Sequence, residues 1–291
     1  MEESEMKTES IEITCRDNIK LSAVRHLPDT ASRGVVIICS ALGVPKRFYN
    51  NFSSFLAGHG YTVVSFDYRG IGESTNNGLS GRNILMQDWG QLDMDAVMDT
   101  AIHWDMGPVF LVGHSAGGQL FGLSSWSEYL KGVILAPASS ANANLYPFPT
   151  RLLFYLMWQL FIPLLALGRD QFPARKIGLA SMDAPSGVMK QWSKWARNPD
   201  YLFSPDSGLD TSRYAQLKMP ILAYGFSDDT YASEKAIRHL LSQFKSAEIQ
   251  FYFKDVKQMG LGGVGHFGFF KEKMKTSLWQ QAIEWLDSHN R

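Results

Sequence analysis

Short apolar runs rich in β-branched and aromatic residues recur along the chain, at residues 35–39, 61–66, 109–112, 133–135, 221–224 and 249–253. Each is bounded by glycine, proline or polar turns, and none alternates with polar residues, which predicts strands covered on both faces. Ahead of them, two alternating segments, residues 11–15 and 19–25, flank Asp17-Asn18 and predict a β-hairpin. Helical spacing fills the intervals, over residues 47–59, 86–104, 119–129, 232–244 and 272–289. In the last of these Met274, Leu278, Ala282 and Leu286 recur every four residues and mark one apolar face. Strands alternating with helices in this way predict an α/β class: a mostly parallel eight-stranded sheet with helices on both faces.

The alternation stops between residues 141 and 214, a stretch with seven prolines, three tryptophans and no evident strand. The chain therefore divides into a first part of the core (residues 1–140), a helical cap insertion (141–214) and a second part of the core (215–291). Within the insertion, residues 152–168 carry no charge. Gln159 and Pro163 interrupt that run, and it falls short of the roughly 20 residues a membrane span needs, so it is expected to be a buried or cap helix.

Composition narrows the function classes. With 291 residues, 45% of them hydrophobic and 19% charged, the chain can build a large core without staples. Its 28 basic and 28 acidic side chains cancel, so no broad field draws a polyanion, and nucleic acid is not an expected partner. Stable membrane insertion is not expected either, and a homodimer is left open. Cys15 and Cys39 match no metal spacing, and the acidic start at residues 1–5 lacks the basic and apolar regions of a secretory signal, so a cytoplasmic location is expected.

Gly113-His114-Ser115-Ala116-Gly117 fits the GxSxG pattern, a sharp turn that lifts a serine hydroxyl above a parallel sheet. The predicted strand before it and helix after it supply the context that the bare pattern lacks. A serine hydroxyl needs a base to take its proton, and the base needs a carboxylate to orient it. Of the seven histidines, His266 follows the last predicted strand in a glycine-rich loop, whereas His114 is expected to support the turn. The carboxylate is expected after the strand at 221–224. There Asp229 is favoured, with Asp228 as the alternative if Asp229 caps the following helix. Backbone N–H groups of Ala116 and Leu42 are the candidates to hold a developing oxyanion.

Gly260, Gly262 and Gly265 satisfy GxGxxG, but too little chain follows for a dinucleotide domain, and a flexible loop carrying His266 explains them better. No metal-ligand cluster or other cofactor motif is present in the sequence, so no cofactor is expected.

Residues 113–118, the Asp228-Asp229 segment and residues 265–270 occur in an order that resembles the α/β-hydrolase superfamily over nearly the whole chain. Residues 66–74 are similar to the segment after an early strand in many such enzymes. The nearest resemblance is to predicted bacterial α/β hydrolases related to serine aminopeptidases and monoacylglycerol lipases. It implies a Ser115, Asp229 and His266 triad and a structural role for Asp67 and Arg69, such as a local ion pair. Ser40-Ala41 stands where the superfamily often has His-Gly. The expected activity is cleavage of an ester, thioester or amide in a small, mostly apolar acyl substrate, with Phe154, Trp158, Phe161 and Trp192 lining its pocket. The competing expectations are an acyltransferase using the same triad and a non-catalytic binding protein on the same fold.

Overall fold

A computed structural model describes residues 7–75, 78–260 and 262–290. The acidic start at residues 1–5 and Leu261 of the glycine-rich loop lie outside the described residues. Strands β1 (Thr8–Thr14) and β2 (Lys20–His26) form the expected hairpin, with Asn18 at φ 65° in its turn. β3 (Val35–Cys39), β4 (Thr62–Phe66), β5 (Val109–Gly113) and β6 (Gly132–Leu135) are buried at every position.

The next two strands were not foreseen. β7 (Gln171–Phe172) and β8 (Ala184–Pro185) pair in a small antiparallel ladder inside the stretch expected to be helical. A two-residue strand is too short to leave a periodic signal. β9 (Ile221–Phe226) and β10 (Ile249–Lys254) complete an eight-stranded sheet of order β1-β2-β4-β3-β5-β6-β9-β10. The β1–β2 and β2–β4 pairs are antiparallel, and the remainder are parallel.

Side chains of the central strands alternate between two cores. Val35, Ile37 and Cys39 join one, which also takes Trp89, Val97 and Ile237, while Val36 and Ile38 join the other. The second core is closed by the helices Asn50–Gly58 and Gln280–His289, and the stripe Met274, Leu278, Ala282 and Leu286 is fully buried there. Both faces of these central strands are therefore dry, which is why they read as continuous apolar runs. The run at 249–253 does not follow the expectation: β10 is an edge strand, and its Tyr252 and Phe253 are exposed.

The helix expected over residues 119–129 is cut short. Ala116–Leu120 is helical, and two short 3₁₀ turns follow. Tertiary contacts override the helical spacing: Asp95 accepts hydrogen bonds from the Ser124 hydroxyl and from the backbone N–H of Ser125, pulling the chain out of helical register. Asp67 and Arg69 do not pair with each other. Arg69 bonds Asp93 and Asp17, while Asp67 bonds Lys46, so two buried ion clusters tie the loop after β4 to its neighbours. Cys15 and Cys39 are both buried and form no disulfide, and the Cys15 thiol donates to Asp93 Oδ1 at 3.6 Å.

Candidate active site

β5 feeds directly into the turn at Ser115, which adopts φ 51° and ψ −112°. This left-handed backbone costs a non-glycine residue about 1–3 kcal/mol, so the surroundings must enforce it. The Ser115 N–H donates to the Pro137 carbonyl at 2.8 Å, and the Gly117 N–H donates to the Ser40 carbonyl at 3.1 Å. The glycines are steric requirements. A Cβ at Gly117 would sit 2.1 Å from the Cys39 carbonyl oxygen, and one at Gly118 would sit 2.5 Å from Ala138 Cβ.

His266 reaches the same cavity wall from the loop after β10. Its Nδ1 lies 2.8 Å from Asp229 Oδ2, and the carboxylate is completely buried. The other Asp229 oxygen accepts the N–H groups of Tyr231 at 2.8 Å and Ala232 at 3.1 Å, so three donors fix its plane. Asp228 points elsewhere: its oxygens accept the N–H groups of Val264 at 2.8 Å and Gly265 at 2.9 Å, clamping the loop that carries His266. The following helix is capped by Ser233, not by either aspartate.

His114 is buried beneath this pair and donates from Nε2 to the His266 carbonyl at 3.0 Å. Burial holds it well below the ordinary histidine range, and it is neutral. Ala116 and Leu42 both line the cavity, and among the described residues neither backbone N–H finds an acceptor in the protein.

The cavity over Ser115 measures about 50 Å³ and, among the described residues, no charged side chain other than the imidazole of His266, when protonated, borders it. Phe154, Trp158 and Trp192 line it, with the two tryptophan rings edge to face at 4.5 Å. Phe161 does not. Phe154, Trp158 and Ile162 follow one inward row at a spacing of four, and Phe161 falls off that row onto an outer groove, 45% exposed. Sequence reasoning missed Gln119, Tyr146 and Tyr231, which also line the cavity. Gln119 stands one helical turn after Ser115, a spacing that places it on the same side. It donates to the Ser139 carbonyl at 2.7 Å and accepts from the Tyr201 hydroxyl at 2.8 Å. Among the described residues no group of three or more metal-ligating side chains comes together.

A model of the alpha/beta hydrolase family matches residues 36–274 of the chain. The chain belongs to the alpha/beta hydrolase family. Solved structures of similar fold include an esterase from Pyrococcus furiosus, 17% identical, with TM-score 0.59 over 97% of this chain and 90% of that one. A thermostable carboxyl esterase from Bacillus coagulans, solved with glycerol, is 13% identical with TM-score 0.60 over 98% of this chain and all 100% of that one. A Butyrivibrio proteoclasticus protein with bound ferulic acid is 15% identical, with TM-score 0.61 over 95% of this chain and 99% of that one. At these identities the likeness is one of fold. This alpha/beta hydrolase thus sets its strained serine turn after β5, a central strand of the shared sheet.

Proposed function

We propose that the protein is a serine hydrolase that cleaves an ester, or a related thioester or amide, in an uncharged and mostly apolar acyl substrate. The observation that carries this reading is the His266–Asp229 bond on the wall of the uncharged cavity that Ser115 also lines. With Nδ1–H donated to Asp229, Nε2 of His266 is left bare and can act as a base.

In the proposed cycle Ser115 Oγ attacks the acyl carbon and its proton passes to His266 Nε2. The Ala116 and Leu42 N–H groups hold the oxyanion. The C–O bond to the leaving group breaks as His266 returns the proton to it. Water, deprotonated by the same nitrogen, then cleaves the acyl-serine and releases the carboxylic acid. The segment 141–214 acts as the cap, and its aromatic side chains exclude water from the acyl group.

The test is labelling with a fluorophosphonate probe, alongside turnover of a panel of ester, thioester and amide substrates. Wild type is expected to label and Ser115→Ala is not. A folded wild type that neither labels nor turns over any member of the panel overturns the proposal.

A further inference from the structure

The helical run Thr150–Leu156, Met157–Phe161 and Ile162–Leu165 carries two rows of apolar side chains at a spacing of four. Phe154, Trp158, Ile162 and Ala166 are buried. Two residues out of phase, Leu152, Leu156, Leu160 and Leu164 face solvent, joined by Leu153 and Leu167, with exposures from 38% to 72%. A two-residue offset is about 200° around a helix, so the leucine row lies opposite the buried one. The outer face of a surface helix is normally polar, and a contiguous apolar patch on a monomer marks an interaction site.

Cations follow this face along the chain. Arg169, Arg175 and Lys176 are exposed, and among the described residues none of the three forms an ion pair. The nearest carboxylates in sequence are engaged locally: Asp170 accepts the Ser80 hydroxyl, and Asp183 accepts the Arg175 backbone N–H. The leucine face also continues into the site. Leu153 and Ile177 line an outer groove of about 480 Å³, four of whose residues (Phe154, Met157, Leu179 and Tyr231) also line the cavity over Ser115.

We propose that this face docks on the surface of a lipid bilayer containing anionic headgroups, and that the groove passes the acyl chain of a bilayer-resident ester towards Ser115. The docking stands on the surface alone, while the delivery step rests on the serine hydrolase reading above. An amphipathic surface with leucines beneath and arginine or lysine at its edge lies in the interface plane and gains from both apolar burial and anionic lipid. A second copy of the leucine row would cover the leucines but brings no carboxylate to the cations, and so satisfies only half of it.

The experiment is co-sedimentation of the full-length Ser115→Ala protein with phosphatidylcholine vesicles, with and without phosphatidylserine. Binding is expected to tighten at least about tenfold when phosphatidylserine is present. It is expected to weaken by a similar factor in Leu156→Glu/Leu164→Glu and, for the anionic vesicles only, in Arg175→Glu/Lys176→Glu. These positions are exposed, and unchanged circular dichroism checks that the variants fold. In the Ser115 background, the leucine variant is expected to lower turnover of a vesicle-embedded long-chain ester relative to a soluble short-chain one. Absence of binding to either vesicle, or binding indifferent to both variants, overturns the docking. So does a dimer on size-exclusion chromatography that the leucine variant abolishes, because the face then belongs to a second copy. Vesicle binding without fluorophosphonate labelling leaves the docking standing and removes the hydrolase reading, and labelling without vesicle binding does the reverse.

Discussion

His114 donates its Nε2–H to the backbone carbonyl of His266, 152 residues further along the chain, at 3.0 Å. A carbonyl can only accept, so the ring proton of this neutral histidine sits on Nε2 and Nδ1 is bare. Nδ1 lies 2.8 Å from the Tyr49 hydroxyl, which donates to it, and the same hydroxyl oxygen accepts the Ala41 N–H at 2.9 Å. One continuous chain of donors therefore joins the loop of the proposed oxyanion donor Leu42 to the backbone of the proposed base.

If that chain holds the two loops in register, Tyr49→Phe should lower kcat/KM for a short ester about tenfold while the protein stays folded, since a buried acceptor and donor each lose their partner. A kcat/KM within twofold of wild type would assign Tyr49 to packing alone. The Nε2–H tautomer of His114 is itself checkable by long-range ¹H–¹⁵N correlation, independently of any activity.

The two neighbouring aspartates should separate cleanly. Asp229→Asn removes the charge bonded to His266 Nδ1 and is expected to cost about 10⁴ in kcat, as in the serine protease triad from which that figure comes. Asp228→Asn loosens the clamp on Val264 and Gly265, and should cost much less in kcat while speeding amide exchange at those two residues. Equal losses in the two variants would mean that the clamp, not the charge, limits the reaction.

Gly117→Ala is expected to destabilise the fold by about 3 kcal/mol or more, because a methyl group 2.1 Å from the Cys39 carbonyl must push β3 away from the serine turn. Chemical denaturation measures the loss. Gly58→Ala serves as a control, as its Cβ would meet nothing within 4 Å.

Acid should weaken the fold through histidines that burial keeps neutral. His26 and His114 are both held below the ordinary histidine range, and in each case desolvation is the largest cause. The unfolded chain binds protons at these groups near pH 6.5 and the folded chain does not, so their contribution is present above that pH. It is lost as pH falls, by up to about 1.4 kcal/mol per pH unit for each group. Urea midpoints measured between neutral and mildly acid pH should decline accordingly. His26, whose two buried ring nitrogens have no partner among the described residues, offers the sharper test: His26→Leu should raise stability at neutral pH by about 1 kcal/mol and flatten the decline.

Much of the sheet was legible because its strands are buried on both faces and leave unbroken apolar runs, as in Val35–Cys39. The serine turn was legible because sterics demand small residues beside it, and Gly117 and Gly118 record that demand. What stayed hidden depends on contacts distant in sequence. Nothing in residues 119–129 announces that Asp95 will draw Ser124 and Ser125 out of a helix. The run at 152–168 forms helix as expected but hides its orientation. A segment apolar all round has no periodicity to say which side faces water, and its leucine row faces outward. Phe161 was placed in the pocket for the same lack of a phase.

β6 and β9 pair directly, with Val133 opposite Ile221 and Leu135 opposite Ala223. The chain therefore leaves the sheet and returns to it at neighbouring positions, about 4.8 Å apart, with everything from Ala136 to Pro220 looped out between them. Beyond Pro137, Ala138 and Ser139, which brace the serine turn, length and composition there can change without altering the spacing of Ser115, Asp229 and His266, which hang from strands on either side of the excursion. Evolution, or an engineer, can exchange the part proposed to meet the substrate and the bilayer while inheriting the proposed triad intact.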